Sequence, residues 1–189
     1  MNVLTFSRQL GSEGDRIATA VAQSLKWAYM DHALINRAAR EAGVPEVALA
    51  HIDELGFLGI SPSPEEHRAY LNQVESIIRE LADKGEVVIV GCAAQKVLAD
   101  HPRALHVQVV APFEVRLARL MAQEAIPESA AMERLLACDK RRAEYLKKHY
   151  GVNWLDPALY DLVVNTAKLD PESVVNCILA LLHGVSCRP

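Results

Sequence analysis

Apolar positions along this chain switch between runs and helical spacing, and the switches set out a repeating order of strand and helix. Val3 to Ser7 is a short apolar run and predicts a strand. Ile17, Ala18, Val21, Ala22 and Leu25 then recur three and four apart, the mark of one helix face. Trp27 to Asp31 predicts a second strand, and Leu34 to Ala42 a helix that stops at Gly43. Val44 to Pro64, with its prolines and glycines, predicts no regular element and is expected to be a flap. Glu65 to Lys84 predicts a strongly amphipathic helix with Leu71, Val74, Ile77, Ile78 and Leu81 on one side, closed by Gly85.

The second half continues the alternation. Val87-Val88-Ile89-Val90 is apolar without interruption, as in a strand buried on both faces. A helix over Ala93–Asp100, a strand over Leu105–Val110 and a helix from Pro112 through Glu124 follow. Glu128 to Tyr150 predicts a long charged helix or helix pair, Asp161 to Asn165 a last strand, and Pro171 to His183 a final apolar helix. Strands alternating with helices predict one α/β domain over residues 1–189, a parallel sheet flanked by helices in three layers. Ligands of such sheets bind at the carboxyl ends of the strands. That edge would gather Arg8 to Asp15, Asp31, Gly91-Cys92 and the segment after Ala111.

Composition narrows the classes. The 189 residues are 51% hydrophobic and 23% charged, and a net charge of −4 argues against a nucleic-acid polymer as partner. No apolar run approaches the roughly 18 residues needed to span a membrane, and the N-terminus lacks a secretory pattern. Cys92, Cys138, Cys177 and Cys187 are widely spaced, which fits reduced thiols and a cytoplasmic location. Neither they nor the scattered histidines have metal-ligand spacing.

The candidate chemistry lies in the first loop. A strand, a glycine-rich turn and a helix start converge free N–H groups and the helix dipole on an anion. Gly11-Ser12-Glu13-Gly14 has that form, but Glu13, Gly14 and Asp15 stand where Gly-Lys-Ser/Thr would normally close a phosphate loop. A local alternative is a capping box in which Ser12 and Asp15 close the helix end. A further alternative is a dinucleotide site with Asp31 on a ribose, although Gln9 breaks the Gly-x-Gly-x-x-Gly pattern. Lys140, Arg141, Arg142, Lys147 and Lys148 form a basic stretch. It reads either as a solvated face with a Glu144–Lys148 pair or as a lid that closes cations over phosphates.

Several segments in order resemble the cytidylate kinase-like family, a branch of the P-loop nucleoside monophosphate kinases. They are Ser7-Arg8-Gln9-Leu10-Gly11-Ser12-x-Gly14, Val88-Ile89-Val90-Gly91, Ala111-Pro112-x-Glu114-x-Arg116-x-x-Arg119, Asp139-x-x-Arg142-x-x-Tyr145, Gly151-x-Asn153-Trp154-x-Asp156-Pro157 and Tyr160 to Thr166. The resemblance runs from the first strand to the last helix. It implies a P-loop kinase fold with a flap at about 33–84 and a helical lid at about 124–157. It also implies transfer of the γ-phosphate from ATP, with Mg²⁺, to a nucleoside monophosphate, CMP or dCMP by analogy. Gly11, Ser12, Glu13 and Gly14 would then cradle the donor phosphates. Arg142 and Arg141 would be lid cations, and Arg116 and Arg119 would support the phosphates or the lid. Asp31 and Arg37 would fall beside the acceptor, with a surface arginine as the alternative reading of Arg37.

Three positions depart from the usual loop chemistry. Gly14 replaces the phosphate-loop lysine, as it does in the resembled branch, and Arg8, then Arg16, are the candidates for replacement charge. Glu13 replaces a glycine, and a carboxylate about 4 Å from a phosphate charge costs roughly 4 kcal/mol at an effective dielectric near 20. Glu13 must therefore turn away, bind the metal or oppose ATP. Asp15, where a hydroxyl would normally bind metal, could hold Mg²⁺ itself. Cys92 follows Gly91 where the branch has an arginine that would meet substrate, and it reads as a small buried residue. Glu13 and Cys92 together predict weakened activity.

Overall fold

The computed structural model describes residues 1–41, 43 and 64–184. The expected flap stretch Val44–Pro64 lies outside them, apart from Pro64 itself. The elements run β1 (Val3–Arg8), α1 (Gly14–Leu25), β2 (Ala28–Met30), α2 (His32–Glu41), α3 (Pro64–Lys84), β3 (Val87–Val90) and α4 (Ala94–Val97). They continue with β4 (Ala104–Val110), α5 (Phe113–Glu124), α6 (Glu128–Tyr150), a 3₁₀ turn (Pro157–Leu159), β5 (Leu162–Asn165) and α7 (Pro171–Gly184).

The five strands are parallel, in the order β2-β3-β1-β4-β5. Successive residues of a strand face opposite sides, so a sheet covered on both faces is largely apolar on both, and its buried polar residues, such as Thr5, His106 and Gln108, are hydrogen-bonded. Val3, Val87 and Ile89 pack on one side with Ile35 and Ala39 of α2 and Tyr70, Val74 and Ile78 of α3. Leu4, Phe6, Val88 and Val90 pack on the other with Ile17, Ala18 and Val21 of α1 and Val174 and Ile178 of α7. Each fully buried aliphatic or Phe side chain contributes about 1.5–3 kcal/mol, so the central strands anchor the loops that leave their ends.

The order also decides between two nucleotide folds. A dinucleotide fold places its second strand beside the first. Here β3 lies between β1 and β2, and the dinucleotide alternative falls.

Two helices differ from their sequence expectation. The one expected over Ala93–Asp100 is only Ala94–Val97. Ala93 is left-handed before it, and beyond Leu98 a tight turn closes, with His101 N donating to Leu98 O at 2.9 Å ahead of Pro102. The stretch expected as a helix or helix pair is one helix, α6, ended by Gly151 at φ 69°. Leu135 of α6 packs against Leu117 and Leu120 of α5. Glu144 on α6 pairs with Lys140 at 3.9 Å on the exposed face. Among the described residues, no helix is long and apolar enough to cross a membrane.

Candidate active site

The loop after β1 turns through two left-handed residues, Gly11 at φ 77° and Glu13 at φ 67°. Ser12 Oγ donates to Gln9 O at 2.7 Å, closing the turn on itself. The first helical bond runs from Ile17 N to Glu13 O at 3.0 Å. The N–H groups of Gly14, Asp15 and Arg16 thus have no acceptor within the helix, the ordinary state of a helix start and a ready anion site. The capping box is not formed. Glu13 is the N-cap and makes no side-chain cap bond, Ser12 serves Gln9, and Asp15 is taken by Arg8.

The missing lysine has a steric reason. A Cβ on Gly14 would lie 2.4 Å from Arg8 Cβ and 2.9 Å from Arg8 Cγ. The Arg8 stem occupies the space that any side chain at 14 would need. Arg8 Nε donates to Asp15 Oδ1 at 2.9 Å. The Arg8 carbonyl accepts from Arg142 Nη1 of α6 at 2.7 Å, and the Arg142 guanidinium lies 6.0 Å from the centre of the Trp154 ring.

These residues open on a cleft of about 340 Å³ lined by Arg8, Leu10, Asp15, Tyr29, Asp31, His32, Ala33, Arg134, Cys138 and Arg142. Leu10 and Asp15, which flank the glycine loop, line it, while Gly11 to Gly14 themselves do not. The start of α2 also lines it, where Asp31 Oδ1 accepts from Leu34 N at 3.0 Å and caps the helix. Burial, aided by the nearby Asp15 and Asp31 charges, pushes the Tyr29 hydroxyl above its usual range despite an opposing bond to Thr19. Tyr29 therefore stays a neutral hydroxyl at neutral pH. Sequence reasoning missed Tyr29, His32, Arg134 and Cys138. Tyr29 lies in β2 two residues before Asp31, which is just past the strand, and this Tyr-x-Asp spacing, a pattern of the resembled family, was its signal.

Other expected site residues lie elsewhere. Arg37 is exposed and 3.9 Å from Glu41. Gly91 and Cys92 are buried, and Cys92 packs in the core with Ile35 and Tyr70. Neither lines the cleft, and the chain leaves β3 through left-handed Gly91, Cys92 and Ala93. Arg141 is half-buried one residue before Arg142 on α6. Glu13 is turned to one side, accepting from Gln123 Nε2 at 2.8 Å and from Arg16 Nη1 at 3.3 Å. Arg16 is thereby an exposed partner of Glu13. With its charge paired in this way, Glu13→Gly is expected to change ATP affinity by less than about threefold. Calorimetric titration checks this, and tightening beyond tenfold would mean that the carboxylate does reach the phosphates.

Arg116 and Arg119 act from behind the loop. Arg116, 3% exposed, binds Asp139 of α6 through both terminal nitrogens, at 3.2 and 2.8 Å. It also donates to Ala111 O and Leu10 O. Arg119 donates to Gly11 O and to Thr166. A Cβ on Gly11 would come within 2.8 Å of Arg116 O, so the loop and α5 are in direct backbone contact there.

The sequence pattern of the cytidylate kinase-like family matches residues 3–168. The chain belongs to the cytidylate kinase-like family. Among relatives of this cytidylate kinase-like chain, the cytidylate kinase of Ignicoccus hospitalis is 27% identical over 96% of the chain and 99% of its own length. That of Methanocaldococcus jannaschii is 28% identical over 64% of the chain and 69% of its own. In fold, a crystal structure of an uncharacterized protein from Eubacterium ventriosum superposes with a TM-score of 0.80 at 19% identity, covering 98% and 100% of the two chains. Shikimate kinase from Bacteroides thetaiotaomicron superposes at 0.57 and 14% identity, covering 96% and 98%. The cytidylate kinase-like chain thus has a P-loop kinase fold, and its family is one of nucleotide kinases.

The metal question turns on Asp15. Among the described residues, no group of three His, Cys, Asp or Glu side chains could hold an ion. Mg²⁺ needs no such cage, since it keeps waters and is bound through one or two carboxylates together with substrate phosphates. Asp15, its side chain 59% exposed at the helix start, fits that limited part.

Proposed function

We propose that the protein transfers the γ-phosphate of ATP to a nucleoside monophosphate, CMP or dCMP by kinship, with weakened turnover. The observation that carries this reading is the cleft itself. It brings Arg8, Arg142 and the residues that flank the glycine loop, Leu10 and Asp15, together with Tyr29, Asp31 and His32, which supports a site for a donor phosphate beside an acceptor nucleotide. Phosphoryl transfer needs positioning and charge neutralisation rather than covalent help. The N–H groups at the start of α1 would hold donor phosphates, with Gly11, Ser12, Glu13 and Gly14 forming the loop. Arg8 would supply the charge that lysine supplies elsewhere. Arg142, with Arg141 beside it, would bring a cation from α6. Asp31 and the neutral Tyr29 hydroxyl would orient the acceptor. Mg²⁺ arriving with ATP would be held by Asp15 and would neutralise phosphate charge. Residues 124–157 would form the lid and 33–84 the flap of a single domain.

The ion pair between Arg8 and Asp15 supports the expectation of weak turnover, because the carboxylate offsets part of the positive charge offered to phosphate. It also favours a second reading, a nucleotide-binding module without catalysis. A coupled assay with ATP, Mg²⁺ and each nucleoside monophosphate separates the two, alongside calorimetry of the same ligands. Turnover with CMP or dCMP supports the first. Binding without turnover across all monophosphates overturns it in favour of the second, and binding of neither nucleotide defeats both.

A further inference from the structure

The glycine loop is held from outside, carbonyl by carbonyl. Arg116 Nη1 donates to Leu10 O at 3.3 Å and Arg119 Nη1 to Gly11 O at 3.4 Å. Thr166 Oγ1 donates to Ser12 O at 2.9 Å. In a trans peptide the C=O and the following N–H point opposite ways. Holding these three carbonyls outward therefore directs the N–H groups of Gly11, Ser12 and Glu13 to the other side. Ser12 N spends its proton on Gln9 O at 3.1 Å. The N–H groups of Gly11 and Glu13 then lie on the side away from the three donors.

Thr166 is the centre of this support. It is 1% exposed, just past β5, and its own N–H donates to Val110 O at 2.9 Å, which fixes it to the end of β4. Its hydroxyl accepts from Arg119 Nη1 at 3.0 Å, and its carbonyl accepts from Arg119 Nη2 at 2.7 Å. The single hydroxyl proton serves Ser12 O rather than the more distant Val110 O at 3.4 Å. The residue thus orients the guanidinium that reaches Gly11 and holds Ser12 itself. A chain of such bonds, all satisfied in a buried setting, specifies one geometry.

We propose that Thr166 is a positioning residue for the phosphate loop, acting through Ser12 and Arg119 to hold the loop N–H groups in their anion-facing orientation. The proposal rests on the kinase reading for its ligand, the ATP phosphates, but its geometry is testable without nucleotide.

Thr166→Val removes the hydroxyl at nearly constant volume, and Thr166→Ser keeps it. Hydrogen exchange of the peptide covering residues 8–16, in the free protein, is expected to accelerate about tenfold in Thr166→Val and to match the parent in Thr166→Ser. Calorimetry is expected to show ATP·Mg²⁺ bound about tenfold more weakly by the valine variant, while CMP affinity stays within about twofold and the serine variant binds as the parent does. Unchanged exchange in Thr166→Val overturns the proposal. So does a serine variant as impaired as the valine one, since packing of the methyl would then be the cause. Equal weakening of ATP and CMP also overturns it. If the parent binds no ATP, the kinase reading falls and loop exchange alone decides the positioning. Should Thr166→Val not fold, Arg119→Gln reads the same loop: faster exchange supports the tether, and unchanged exchange refutes it.

Discussion

Replacing Arg116 by methionine is expected to lower the unfolding free energy by about 3–5 kcal/mol, the cost of breaking a buried ion pair by removing one partner. Arg116 is almost completely buried and fills four roles at once. It makes a two-point bond to Asp139, it donates to the carbonyls of Ala111 and Leu10, and it lies over the Phe113 ring. Methionine matches much of its stem but leaves the Asp139 carboxylate facing an apolar neighbour and two carbonyls without their donor. Urea unfolding measures the loss, and a change below about 1 kcal/mol would mean that water or a neighbour replaces the guanidinium. The double variant Arg116→Met/Asp139→Leu should recover a large part of the stability, because removing both charges also removes the desolvated, unpaired one.

Arg8→Ala should do the reverse, leaving the fold almost unchanged and removing donor binding. Its Asp15 partner is 59% exposed although its own side chain is only 13% exposed, so solvent takes over the carboxylate and the lost packing of the stem costs about 1–2 kcal/mol. A hydrogen bond to a charged group is worth about 1.5–3 kcal/mol, so ATP affinity should fall from about tenfold to more than a hundredfold. Arg8→Lys, which keeps a charge on the same stem, should retain part of it. ATP affinity unaltered in Arg8→Ala would rule out Arg8 as the replacement for the missing lysine. The two variants are therefore expected to divide the arginines of this site, Arg116 to the framework and Arg8 to the ligand.

Much of this arrangement was legible in the sequence. The uninterrupted apolar run of β3 marks a strand between two helix layers, and Val87 to Val90 are all buried. The expected boundaries of α5, α6 and β5 fall within a residue of the observed ones. Cys92 is the small buried residue that its side-chain type suggested. The shortened α4 was not legible, since Ala93 to Asp100 contains no residue that forbids a helix. There the backbone follows the left-handed exit from β3, a feature of the chain path rather than of composition. Nor was the capping box excluded by pattern alone. Ser12 and Asp15 have side chains suited to a cap, and they lost that role to acceptors and donors supplied by Gln9 and Arg8.

The sequence by itself determined the strand–helix order, the parallel sheet, the glycine loop at the end of its first strand and the family. Each of these follows from local periodicity or from a motif read in order along the chain. Tertiary structure alone decided what the charged residues do. Arg116 and Arg119 stand three apart and look alike in sequence. One is locked to Asp139, the other to Thr166, partners 23 and 47 residues away. Gly14 has no side chain because the stem of Arg8 lies in its place. An electrostatic role depends on distance and burial, and neither is encoded locally. Those quantities exist only once the sheet has brought the ends of β1, β4 and β5 together.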